Sequence, residues 1–174
     1  MEKSPTELLK GNPTENIKIT KNIELAPDLL PNYKQELLNI LTEYYSGKCF
    51  SEYGLVKLVD PSIKVISNVV SRVNCNIIFH VEFSINTIAV SIGKKFIMQV
   101  DKINSKHIIG NIEEKISVLL RTETLKNYTF ENDYFIRGKS KIDIGTRLIV
   151  QVEKVKYKNA EEIMVIVKYC KILQ

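Results

Sequence analysis

The chain has 174 residues, with 25 Lys and Arg against 20 Asp and Glu, a net charge of +5 and a pI near 9.0. With 44% apolar and 26% charged residues it has ordinary globular composition, which excludes a disordered chain. No apolar run approaches the ~18–20 residues of a membrane-spanning helix, and MEKSPTELLKGNPTEN holds no apolar signal-peptide core. Three cysteines, an odd number at wide spacing, are not a disulfide framework. The expected setting is intracellular and reducing, in nucleus or cytoplasm, or in a virion and viral factory if the source is viral, with no membrane partner.

Residues 1–16 mix Ser, Pro, Gly, Asn and Glu and read as a flexible extension. Alternation in IKI and IEL predicts a strand from Ile17 to Leu25, stopped by Pro27 to Pro31. Leu37, Leu38, Ile40, Leu41, Tyr44 and Tyr45 then recur at helical spacing, and Gly47 fits a helix stop. After Gly47 the pattern is β. Strands are predicted around Cys49-Phe50, Leu55–Val59, Ile63–Ile66 and Ile77–Phe83, the last with Phe79, Val81 and Phe83 on one face and His80 and Glu82 on the other. Residues 17–92 thus read as a small α+β unit, one helix on a mostly antiparallel sheet.

From Gly93 five short strands follow, around 96–100, 107–112, 116–120, 147–152 and 163–169. An irregular aromatic and polar connection covers Thr122–Lys141. Five strands with one long connection between the third and fourth predict an OB-like barrel over 93–174. The fold class expected is α+β, an N-terminal α+β domain followed by a five-stranded OB-like β barrel.

Charge divides with the fold. Residues 1–92 carry 9 basic and 10 acidic side chains, net −1, while 93–174 carry 16 and 10, net +6. A neutral half joined to a basic half implies that the second meets a polyanion. The 24 Ile, 21 Lys and 14 Asn beside 3 Ala and 4 Arg are the bias of AT-rich coding sequence, so total pI says less than the asymmetry.

Nothing in the sequence supports an enzyme. His80 and His107 lie in no HxxxH, HExxH or Ser/His/Asp context, and Cys49, Cys75 and Cys170 form no CxxC. The seven glycines fall singly, nearly all at expected turns, so no phosphate-cradling glycine loop is expected. No metal or cofactor is expected. Single-stranded RNA is the ligand the residues favour, because OB folds stack bases on exposed aromatics while Lys and Arg follow the phosphates. YTFENDYFIRGKSK supplies Tyr128, Tyr134, Phe135, Arg137, Lys139 and Lys141, and a predicted hairpin supplies Lys154, Lys156, Tyr157 and Lys158. Lys94, Lys95 and Lys106 complete the candidate RNA-binding set. In the neutral half, Phe50, Tyr53, Leu55, Val69 and Val70, if exposed, form a candidate protein interface.

The order of elements resembles the larger stalk subunit of multisubunit RNA polymerases, a family that includes the RNA polymerase II seventh subunit, its archaeal E-prime counterpart and a small poxvirus subunit. The resemblance rests on NIELAPDLLPNY, KQELLNILTEYY, SGKCFSEYG and LVKLVD for the tip domain, then FHVEFSINTIAVSIGKKFIMQV for the join and KINSKHIIGNI and IGTRLIVQVEKVKY for barrel strands. It spans about 150 residues as an ordered series rather than one motif. The family's tip hairpin is glycine-rich, whereas DPSIKVISNVVSRVNCN has no glycine, and the first 16 residues have no counterpart. The resemblance implies a noncatalytic transcription subunit whose tip docks on the polymerase core through residues 47–75. A second stalk subunit and emerging single-stranded RNA would be the other partners, and a large DNA virus or another fast-evolving source is implied. The rival expectations are a free-standing OB-fold RNA-binding protein of translation or RNA decay, and a structural protein-interaction module.

Overall fold

The computed structural model describes residues 12–158 and 161–173, so most of the extension expected over 1–16 lies outside the described residues. Two compact units divide the chain. One comprises Thr14–Lys48 and Val56–Ile88, and the other Cys49–Leu55 and Ala89 onward, together with Asn12 and Pro13.

In the first unit, β1 (Glu15–Leu25) begins two residues ahead of the expected Ile17, because Glu15 and Asn16 already pair with Thr87 and Asn86. The 3-10 turn Pro27–Asn32 leads into α1 (Tyr33–Tyr45). Along the chain then come β2 (Cys49–Phe50) and β3 (Gly54–Val59), of which Cys49–Leu55 group with the second unit, and β4 (Lys64–Val70) and β5 (Ile77–Ile88) of the first. The sheet order is β1-β5-β3-β2, with β4 also on β5. Leu37, Leu41 and Tyr45, four residues apart, are buried. They face the sheet side on which Ile19 opposes Phe83 and Ile23 opposes Phe79. Tyr33 stacks on Phe79 at 5.3 Å between ring centres, and Tyr45 meets Phe83 at 5.4 Å. Each such side chain buried contributes ~1.5–3 kcal/mol, more than the helix gains from its own propensity. Gly47, at φ +68°, ends the run after the helix, where a side chain would be strained.

The opposite face is polar. His80 Nδ1 lies 2.7 Å from Asn22 Oδ1, and Asn86 Nδ2 donates to Asn16 Oδ1 at 2.9 Å. The alternation expected over Phe79–Phe83 is what the strand adopts, with His80 and Glu82 half-buried on the outer side.

The second unit is a closed barrel of β6 (Lys95–Ile103), β7 (His107–Glu113), β8 (Ile116–Arg121), β12 (Arg147–Lys158) and β13 (Glu162–Ile172). β6, β7 and β8 form an antiparallel meander, β13 runs parallel to β8, and β12 joins β13 to β6 to close the ring. This is an OB-like barrel, with the long connection between its third and fourth strands. Inward residues alternate along every strand: Phe96 and Met98, Ile108, Ile116 and Leu120, and Leu148 are fully buried. On its outside, Ile97 and Ile149 pair under Leu173. Asn12 ties the entering chain to the barrel, donating to the Ile112 carbonyl at 2.9 Å and accepting from the Ile97 amide at 2.8 Å. No helix among the described residues is long and apolar enough to cross a membrane.

Candidate nucleic-acid interface

The connection between β8 and β12 is ordered where irregular chain is expected. It folds as a three-stranded meander, β9 (Thr129–Glu131), β10 (Tyr134–Arg137) and β11 (Ser140–Ile142), with β10 in the centre. Asn132 and Asp133 take φ of +40° and +66° between the paired Glu131 and Tyr134, a two-residue hairpin turn. Gly138 and Lys139 make the second turn between paired Arg137 and Ser140. These short strands lack clear apolar alternation, so turn chemistry rather than periodicity was the available signal.

Strand alternation then separates residues that the sequence places together. Phe135 opposes both Phe130 and Ile142 and is buried, with the Phe130 ring 5.1 Å away. Phe135 is therefore a plug for the core under the meander, not a stacking platform. Tyr134 points to the other side, half-buried, with Lys141 Nζ 4.5 Å from its ring centre. Lys141 also pairs with Asp143 at 3.0 Å. Asp143 has its pKa held below the usual carboxylate range by the Thr146 hydroxyl first and by Lys141 second.

The other cluster joins Tyr128, Arg137 and Tyr169. Arg137 Cζ lies 4.8 Å from the Tyr128 ring centre, a cation–π distance. Tyr128 meets Tyr169 edge-on at 5.7 Å, and their hydroxyls are 3.0 Å apart. Tyr169 is a member that sequence reasoning missed, since it sits in KYCK on β13, 41 residues after Tyr128. Burial first, and the Tyr128 hydroxyl second, push the Tyr169 phenol up to about 12 from 10.0. A phenol whose folded pKa is raised stabilises the fold fully below the unfolded value near 10, and that contribution disappears as pH rises through about 12. In an alkaline absorbance titration Tyr169 is expected to be the last tyrosine to ionise, and Tyr169→Phe to remove that last step together with the accompanying loss of stability. An unchanged titration in the variant would show that another tyrosine is responsible.

The remaining candidates spread around the barrel. Lys94 Nζ donates to the Ala89 carbonyl at 3.2 Å, and Lys95 is exposed at the start of β6. Lys106 is exposed in the β6–β7 turn, where Asn104 Oδ1 accepts from the amides of Lys106 and His107 at 2.9 and 2.7 Å. Lys139 is exposed at its turn. Lys154, Lys156 and Lys158 oppose Ile166, Met164 and Glu162 on the outer face, whereas Tyr157 opposes the fully buried Ile163. Tyr157 is half-buried with its phenol pushed up by burial, so it does not accompany the lysines.

Of the candidate interface residues, Leu55 is buried and opposes Cys49. Phe50 and Tyr53 are half-buried with rings 6.1 Å apart. Val69 and Val70 are 59% and 65% exposed. Burial pushes the Cys49 and Cys170 thiols up. Among the described residues, no three His, Cys, Asp or Glu side chains come together as metal ligands. No protein-family model matches the chain, and no curated protein is similar enough in sequence to count as a match.

Proposed function

We propose that the protein is a noncatalytic stalk-type subunit of a DNA-dependent RNA polymerase, docking by its helix-backed sheet and touching emerging single-stranded RNA with its barrel. The observation that carries this reading is the order of parts in one chain: an open sheet with an exposed apolar edge strand, then a closed OB-like barrel. β4 pairs only with β5 among the described residues, and Ile66, Val69, Val70 and the following Val73 are 49%, 59%, 65% and 95% exposed. Apolar side chains along a sheet edge are a standing liability unless a partner covers them. Val69 opposes Ile78 and Val70 opposes Ile77, so the two valines leave opposite faces of the sheet. A partner that covers both must clasp the edge, as an added strand would. On the barrel, Arg137 over Tyr128, with exposed Lys139 nearby in sequence, is the cation and ring arrangement suited to a base and its phosphates.

The test is a tagged pull-down at high salt after nuclease treatment, which removes RNA-bridged and electrostatic partners and spares an apolar clasp. Large polymerase subunits are expected in near-stoichiometric amounts, and Val69→Asp with Val70→Asp should reduce them at least about tenfold, because two carboxylates would have to be buried. Recovery of RNA alone at low salt would instead make the protein a free-standing RNA-binding module. Recovery of neither would leave a structural interaction module.

A further inference from the structure

The register of the barrel assembles an outer feature that no single strand shows. Lys102 on β6 opposes Ile109 on β7, Ile109 opposes Leu119 on β8, Leu119 opposes Ile166 on β13, and Ile166 opposes Lys154 on β12. Three aliphatic side chains therefore stand in one cross-strand row with a lysine at each end. The adjacent row runs Asn111, Ser117, Met164, Lys156. Ile109 and Met164 are 39% and 42% exposed, Leu119 and Ile166 are half-buried, and Lys102, Lys154 and Lys156 are exposed.

We propose that this face of β7, β8 and β13 docks a protein segment with an aliphatic ridge and a carboxylate at each end. Barrel strands are tilted from the axis, so a row across them climbs along the barrel while it turns around it, and a segment that crosses the barrel obliquely can follow it. Four strand spacings of ~4.8 Å set the two lysine positions about 19 Å apart along the row. That is the rise of about 13 helical residues, which fixes the spacing of the partner's carboxylates if it is a helix.

Charge selects the occupant. Of the carboxylates beside this face, Asp101 accepts from Asn111 Nδ2 at 2.6 Å, and Glu162 accepts from the Ser117 hydroxyl. Glu153 lies in the β12 bulge beside Lys154, and Glu113 lies beyond the second row. The ends of the apolar row therefore remain cationic. A second copy of this chain packing the same face would bring lysine against lysine. RNA fits poorly for a different reason: sequence-tolerant binding of single strands needs rings to stack on, and the two rows carry none. The partner need not be a polymerase subunit, so this docking stands or falls separately from the stalk reading.

A photo-crosslinking p-benzoylphenylalanine at Met164, and separately at Leu119, in the full chain expressed in cells that make it naturally tests the docking. The expected product is a nuclease-resistant adduct with one segment of another protein. Its yield should fall about tenfold in Lys102→Glu/Lys154→Glu, as two reversed surface pairs imply, and return when the partner's two facing acids are changed to lysine. Circular dichroism of the charge variant guards against misfolding, which two exposed positions should not cause. A nuclease-labile adduct, an adduct with a second copy, an adduct indifferent to the charge reversal, or no adduct at either position overturns the proposal.

Discussion

Gly110→Ala is expected to cost about 3 kcal/mol or more, at the upper end of what overpacking does. A Cβ built at Gly110 lies 2.0 Å from the Gln99 carbonyl oxygen, 2.7 Å from Met98 Cε and 3.0 Å from the Gln99 carbonyl carbon. The methionine tip can swing away; the carbonyl cannot. Gln99 is fixed on both sides, opposing Asn111 on β7 and Arg147 on β12. The next residue, Val100, donates to the Thr146 carbonyl at 3.0 Å and accepts from the Gly145 amide at 2.7 Å. Moving β6 outward by the ångström or so required would strain both neighbouring ladders, and a closed ring has no free edge to absorb it. For a chain of this length, a loss of that size is roughly 6–12 °C in melting temperature. Gly138→Ala is the control. It has open space around the Cβ but a φ of +57°, so only the left-handed backbone penalty of ~1–2 kcal/mol applies. Urea unfolding of the full chain should rank Gly110→Ala well below Gly138→Ala. Equal losses would mean that β6 yields easily and that the close approach is not a constraint.

That glycine also shows where the sequence stops being informative. HIIGNI reads as a strand with one small residue, and in the strand Ile108 is buried beside exposed Ile109. The crossing of another backbone over Gly110 leaves no local trace, because it depends on which strand pairs with β7 and on the bulge between Val100 and Lys102. The same divide holds elsewhere. α1, the apolar face of β5 and the five barrel strands were legible because period 3.6 and period 2 are written in their apolar residues. The meander was not, since its strands are three or four residues long and its turn at Asn132-Asp133 is a stronger signal than its alternation. Site residues followed one rule: those called from local clustering were scattered whenever they sat on consecutive strand positions. Tyr134 and Phe135 point apart, and so do Lys156 and Tyr157. Tyr169 meets Tyr128 only because the connection after β8 returns against β13, where the Tyr169 amide donates to Thr124 Oγ1 at 3.3 Å. Alternation along YFIR and KVKYK, applied consistently, would have made both separations visible in advance; the long-range contact would have remained hidden.

Arg137 gives the second large effect, and its conservative variant separates two ways of holding RNA. If single-stranded RNA engages the meander, an oligouridine should bind the full chain with strong salt dependence. Each phosphate neutralised contributes about −0.7 to the slope of log K against log salt concentration. Arg137→Ala with Lys139→Ala removes two exposed cations and should flatten that slope by about 1.4. Affinity in the double variant should fall roughly 5- to 150-fold, because a base stacked at the Tyr128–Arg137 site is worth about 1–3 kcal/mol. Arg137→Lys keeps the charge and loses the planar guanidinium that lies near the Tyr128 ring. It should leave the slope unchanged and still lose several-fold in affinity. If Arg137→Lys binds as the parent does, the contact is electrostatic alone and the ring is only structural, held by Tyr169. If the double variant changes neither slope nor affinity, RNA does not meet the meander at all, and the proposed transcript contact falls independently of the proposed docking through β4.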